Sequence, residues 1–199
     1  MTPVRVAVLA SGGGTNLQAL LDALTDSPLA RVARVITNRS TAGALERAKR
    51  SGVPTTVLRD PADAAELLAA LDQEPAADLV VLAGYLKLVP RPVVARFRWR
   101  MINIHPALLP AHGGPGMYGR RVHEAVLASG AADSGVTVHY VDEQYDRGPI
   151  IAQTRVPVQP GDTADSLAAR VLEAEHGLLP KVVLELARLG VPSQPVRIS

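Results

Sequence analysis

Asn103 and His105 stand two residues apart at the end of an apolar run, and Pro106 follows at once. If that run is a strand, alternation puts both side chains on one side of the chain. Pro106 forces an extended His105 and stops the strand. An amide and an imidazole so placed suit acyl-type transfer. The Asn NH2 can donate to a developing oxyanion, and the imidazole can deliver a proton or offset charge. The same residues also fit a plainer reading, a hydrogen-bonded histidine and a structural asparagine at a strand end.

Two further segments carry chemistry. Asp142-Glu143-Gln144-Tyr145-Asp146-Arg147-Gly148-Pro149 is acidic, and Asp146 is its candidate, because Gly148 and Pro149 fix the chain just after it. A carboxylate beside His105 raises the imidazole pKa and orients a water. Read alone, the segment is equally a solvated turn. Ser11-Gly12-Gly13-Gly14-Thr15-Asn16 joins an expected strand to an expected helix. Free N–H groups at such a junction favour an anion, and Thr15 and Asn16 add donors. Position 17 is Leu, so the dinucleotide fingerprint lacks its third glycine, and no Gly-Lys-Ser/Thr completes a P-loop. A plain capped turn is the alternative.

The elements that must hold these residues are legible in outline. Apolar runs at 4–10, 32–36, 54–58, 79–83 and 101–104 read as buried strands. Helical spacing joins Leu17, Leu20, Leu21 and Leu24, and helices are expected at 42–51, 63–71 and 89–97, the last with Pro in its first turn. Such alternation means a mostly parallel sheet covered on both faces. The pattern then changes. A glycine-rich loop at 113–119 precedes a helix at 122–128, and strands at 136–141 and 150–156 lack an intervening helix. They read as an antiparallel addition to the sheet. A long last helix, capped by Asp162, should run to about Leu189 with an interruption and kink near Gly177 and Pro180. The expected fold class is α/β, one open doubly wound sheet. The expected organisation is a single domain over 1–199, with phosphate binding in 1–100 and catalysis in 101–199. If the strands before the glycine turn and at 101–104 are neighbours, the two motifs share one cleft at the strands' carboxyl ends.

Composition narrows the field. The chain has 199 residues, 47% hydrophobic but only 3% aromatic, which suits a core of Ala, Val and Leu. The absence of cysteine excludes disulfides, thiolate catalysis and zinc–thiolate sites. No metal-ligand spacing is present, so no metal is expected. A net charge of +2, with no basic run interleaved with aromatics, argues against nucleic-acid binding. No apolar run has membrane-span length, and 4–10 is too short for a signal peptide, so a cytoplasmic protein with small-molecule substrates is expected.

Several segments resemble the glycinamide ribonucleotide formyltransferases, folate-dependent enzymes of purine synthesis. They are 11–18, Thr37-Asn38-Arg39, 82–87, Asn103-Ile-His-Pro-Ala-Leu-Leu-Pro110, 136–141 with Asp146-Arg-Gly-Pro149, and Arg170-Val-Leu-Glu-Ala-Glu-His176. The resemblance implies formyl transfer from 10-formyltetrahydrofolate to the glycinamide amine of 5-phosphoribosylglycinamide. It implies that Asn103 stabilises the oxyanion, that His105 donates a proton and that Asp146 raises the His105 pKa. Gly14, Thr15, Asn16 and Glu175 match substrate contacts. Leu86, Lys87, Leu88 and Val89 match the folate-holding strip, with Asn103 and the backbone of Val141 and Asp142 beside it. A homodimer is allowed for.

Departures from the pattern are Ala107 in place of Ser, the glycine-rich segment 111–119, no Arg near 60–65, and Leu172 where Gln is usual. His139 is either a plain strand residue or a residue behind the site, and His123 is expected to be structural. Competing readings are formyltetrahydrofolate hydrolase, methionyl-tRNA formyltransferase and a non-catalytic nucleotide-binding module. The first two would need an added N-terminal or C-terminal domain, which the chain's limits are expected to leave out.

Overall fold

A computed structural model describes residues 2–198. The elements are β1 (Val4–Leu9), α1 (Thr15–Leu24), β2 (Ala30–Thr37), α2 (Gly43–Arg50), β3 (Thr55–Val57), α3 (Ala64–Asp72), β4 (Leu79–Leu82), α4 (Arg91–Arg96), β5 (Met101–His105), α5 (Arg120–Ala128), β6 (Asp133–Tyr140), β7 (Ile150–Pro157) and α6 (Ala164–Arg188). Among the described residues the strands form one sheet in the order β3-β2-β1-β4-β5-β6-β7. Strands β1 to β5 run parallel, and β6 and β7 are antiparallel additions. This is the expected mostly parallel α/β sheet with an antiparallel C-terminal part.

The strands are apolar on both faces because both faces are covered. Val6 and Val8 of β1 and Leu79 and Val81 of β4 pack with α1, α2, α5 and α6. Ala7 and Leu9, and Val80 and Leu82, point the other way and pack with α3 and α4. Each Leu fully buried in these layers contributes about 2 kcal/mol of transfer free energy.

The condition set on β1 and β5 is not met, and two expectations for the last helix change. Strands β1 and β5 are not neighbours, because β4 lies between them. The chain fills β2 and β3 on one side of β1, then crosses to β4 on the other. That reversal opens a crevice at the carboxyl ends of β1 and β4, which β5 extends. The last helix is not interrupted. It runs continuously through Gly177 and Pro180, with Leu178, Leu179, Val182 and Val183 buried around them, so packing holds the turn that Pro180 cannot bond. Its N-cap is Thr163, in a reciprocal capping box with Ser166, rather than Asp162. Asp162 instead pairs with Arg170 and accepts from the Gln159 N–H.

Candidate active site

A cavity of about 570 Å³ lies at the carboxyl ends of β1, β4 and β5, within the size range of small-molecule sites. Asn16, Leu86 to Val89, Asn103, His105, Val141, Asp142, Asp146 and Glu175 all line it. Gly14 and Thr15 do not. They sit at the N-terminus of α1, just before Asn16.

The glycine turn is built for close approach. Gly14 has φ 74°, and a Cβ there would lie 2.8 Å from the Ala44 Cα, so only glycine fits. The Ser11 hydroxyl donates to Asn38 Oδ1 at 2.6 Å and accepts from the Leu86 N–H at 3.1 Å. One side chain thus ties the turn to the end of β2 and to the strip after β4. Leu86 and Leu88 of that strip are exposed, while Val89 is buried. The Val141 N–H donates to the Met101 carbonyl, which fixes the chain as it leaves β6.

Asn16 Nδ2 donates to Glu175 Oε2 at 2.9 Å. Glu175 comes from the middle of α6, and burial pushes its carboxyl up to about 7, with the Asn16 bond partly opposing. A carboxyl whose folded pKa is raised favours the folded state most at low pH. That contribution is lost as pH rises from the unfolded value near 4.5 through about 7, a change of about 3 kcal/mol at most. Glu175→Gln should therefore flatten part of the decline in stability between about pH 5 and pH 8. Urea midpoints of both proteins across that range check this, and parallel profiles would contradict it.

The strand-end pair meets the acidic loop as expected. Met101, Asn103 and His105 alternate with Ile102 and Ile104, whose side chains enter the core on the α6 side. Asp146 reaches back from the β6–β7 loop with φ 56°, a left-handed conformation that Asp tolerates better than most residues. Its Oδ2 lies 3.6 Å from His105 Nδ1 and accepts from the Gly114 N–H at 2.9 Å. Its Oδ1 accepts from Asn103 Nδ2 at 3.4 Å. His105 Nε2 lies 2.9 Å from the His112 carbonyl oxygen. A carbonyl only accepts, so Nε2 carries hydrogen and Nδ1 faces the carboxylate.

The electrostatics refine one expectation. Burial is the largest influence on His105 and lowers its pKa below 6.5. Asp146 pulls it upward, as anticipated, but does not prevail. Burial also raises the Asp146 carboxyl. Here the His139 hydrogen bond, the His105 charge and the Gly114 N–H outweigh it, and the net shift is downward. The site thus holds a carboxylate beside a largely neutral imidazole, and a proton taken up at Nδ1 forms a buried ion pair.

The glycine-rich segment 111–119 closes over this pair with backbone groups. Gly113 permits the approach, since a Cβ there would meet Leu109 Cδ2 at 2.5 Å and Asp146 Cβ at 3.1 Å. Several lining residues were not foreseen, including His123 and Tyr145, whereas Leu172 lies at a departure already noted. His123 shares the buried face of α5 with Val122 and Val126, and that spacing was its only sequence signal. Leu172 puts an apolar side chain where a polar one was usual. Ala107 is buried, and its carbonyl accepts from Thr137 Oγ1 at 2.6 Å. Arg59 pairs with Glu66 at 3.3 Å and is exposed.

Residues 4–183 match the family model described as formyl transferase. A phosphoribosylglycinamide formyltransferase of Arabidopsis thaliana, named chloroplastic, is 45% identical over 187 residues, covering 90% of this chain and 64% of that protein. The Escherichia coli (strain K12) phosphoribosylglycinamide formyltransferase is 37% identical over 187 residues, covering 90% of this chain and 85% of that one. The crystal structure of glycinamide ribonucleotide transformylase 1 from Symbiobacterium toebii superposes with a TM-score of 0.86 at 42% identity, covering 99% of this chain and 94% of that one. The chain spans about three fifths of the length of the plant relatives, 59% and 64%. With the match running from the first strand into the last helix, the chain belongs to the formyl transferase family.

Proposed function

We propose that this chain transfers the formyl group of 10-formyltetrahydrofolate to the glycinamide amine of 5-phosphoribosylglycinamide, a step of de novo purine synthesis. The observation that carries the reading is one shared cavity. It is lined by Asn16 and Glu175, by the strip 86–89, and by Asn103, His105 and Asp146. A phosphorylated ribosyl substrate would place its phosphate on the free N–H groups at the start of α1, with Gly14, Thr15 and Asn16 around it. Glu175 would accept from the ribose hydroxyls. The folate would lie along Leu86, Lys87, Leu88 and Val89, its pterin against the backbone of Val141 and Asp142. The phosphate half (1–100) and the catalytic half (101–199) then share one site, because the folate strip lies in the first half and Glu175 in the second. A cytoplasmic location belongs to the same proposal.

The chemistry follows from the cluster. The amine nitrogen attacks the formyl carbon, and the carbonyl oxygen becomes an oxyanion that Asn103 and His105 stabilise. The C–N bond to folate N10 then breaks. The amine must lose one proton and N10 must gain one, so no net proton leaves the site. His105 supplies the proton to N10, and Asp146 accepts the amine proton through a water. Asp146 also favours the charged imidazole against its burial.

Incubation of the chain with both substrates, following folate absorbance and the formylated product, tests the reading. Turnover that requires both substrates is expected. Absence of turnover together with no calorimetric binding of either would end it, and formate release without the amine would favour hydrolysis.

A further inference from the structure

Asn103 and His139 are cross-strand partners of β5 and β6, so their side chains share one face. His139 is only 2% exposed. Its Nδ1 lies 2.8 Å from the Tyr140 carbonyl oxygen, and its Nε2 lies 3.1 Å from Asn103 Nδ2. The Tyr140 carbonyl accepts, so Nδ1 carries a hydrogen. In the neutral ring Nε2 is then an acceptor, and it takes one hydrogen of the Asn103 amide. The other hydrogen goes to Asp146 Oδ1 at 3.4 Å. Both N–H bonds of Asn103 are used within the protein, and its carbonyl oxygen is the end left over. In that arrangement Asn103 has no donor for an oxyanion.

One proton reverses the arrangement. With Nε2 protonated, His139 donates from both nitrogens and can no longer accept from Asn103. Turning the amide by half a revolution puts Oδ1 against Nε2–H and frees the NH2. The amide oxygen then lies near the Asp146 carboxylate, but the imidazolium, 3.6 Å from Oδ1 of Asp146, offsets that contact. The ionisable groups facing His139 are Asp146 from the β6–β7 loop and, beyond it, His105 from β5. Each ring lies 3.6 Å from one oxygen of the same carboxylate. Asp146 favours a charge on His105, whereas burial and the His139 ring oppose it.

We propose that His139 is a positioning residue whose protonation decides which end of the Asn103 amide faces the reacting carbon, the imidazolium being the form that presents the NH2. The proposal rests on the reading of Asn103 as the oxyanion donor. It gives a buried histidine of the cavity wall a specific part in the reaction.

Nuclear magnetic resonance of the full ¹⁵N-labelled chain, without substrate, tests it between about pH 5 and pH 9, the range in which histidines change charge. The Asn103 amide signals are assigned with Asn103→Asp. Scalar coupling across the Asn103 Nδ2–H···Nε2 His139 hydrogen bond is expected at high pH. It should vanish, with a shift of the amide signals, as Nε2 gains its proton. In His139→Gln the amide signals should lose that pH dependence. The kcat of this variant should fall about ten- to a hundredfold, with both KM values nearly unchanged. An unchanged coupling across the range, or an Nε2 that never gains a proton, would overturn the proposal. So would a His139→Gln enzyme with normal kcat. The spectra need no turnover, so they decide the amide orientation even if the proposed reaction fails.

Discussion

His105→Ala should lower kcat by about three orders of magnitude, within the range found for positioned general acids and oxyanion donors, while the protein stays folded. The ring is 3% exposed and sits between the Asp146 carboxylate and the His112 carbonyl. In the proposed mechanism, truncation removes the proton source and one of two groups at the oxyanion. It also leaves the His112 carbonyl without its donor, which costs about 1–3 kcal/mol. That is less than the stability of an ordinary domain. The residues proposed to hold the two ligands are untouched, so kcat and kcat/KM should fall together with KM little changed. Steady-state kinetics and a circular dichroism spectrum check both halves. A folded variant with a near-normal rate would remove His105 from the chemistry.

The sequence showed the strands through their apolar runs, because burial on both faces leaves no alternation to blur them. It showed Asn103 and His105 as a pair because alternation is a local property. It could not place β4 between β1 and β5, since strand order depends on contacts between distant segments. It also misjudged Pro180. A proline signals an interruption locally, but the buried Leu178, Leu179, Val182 and Val183 carry α6 through it. At the site, Gly148 and Pro149 directed attention to Asp146, yet the balance at His105 was not legible. The attraction of a carboxylate can be read from proximity alone. The opposing effect of burial depends on everything packed around the ring, including the glycine-rich segment whose conformation no motif announced. The double use of the Asn103 amide was hidden for the same reason, because it needs the register of β5 against β6.

The second large effect is expected from Asp146→Asn, with kcat at neutral pH about a hundredfold lower or more. Asn is the informative replacement, because it tolerates the left-handed backbone that φ 56° demands and keeps an oxygen for the Gly114 N–H. What it removes is the negative charge. His105 is pushed below 6.5 by burial, against the pull of Asp146. Without that pull only the bond to the His112 carbonyl still opposes burial, and the His105 pKa must fall further. Fewer molecules then hold the imidazolium at neutral pH. The activity limb that declines with rising pH should shift to lower pH, so part of the lost rate returns on acidification. Stability moves independently. The Asp146 carboxyl is held below 3.8 in the folded state, so its contribution is present above that value and disappears as pH falls through the lowered pKa. The variant should lack that portion of acid sensitivity. A pH profile of kcat, with urea unfolding at several pH values, measures both. A uniform loss of rate with an unshifted limb would mean that Asp146 holds the loop and Asn103 in place but does not set the charge on His105.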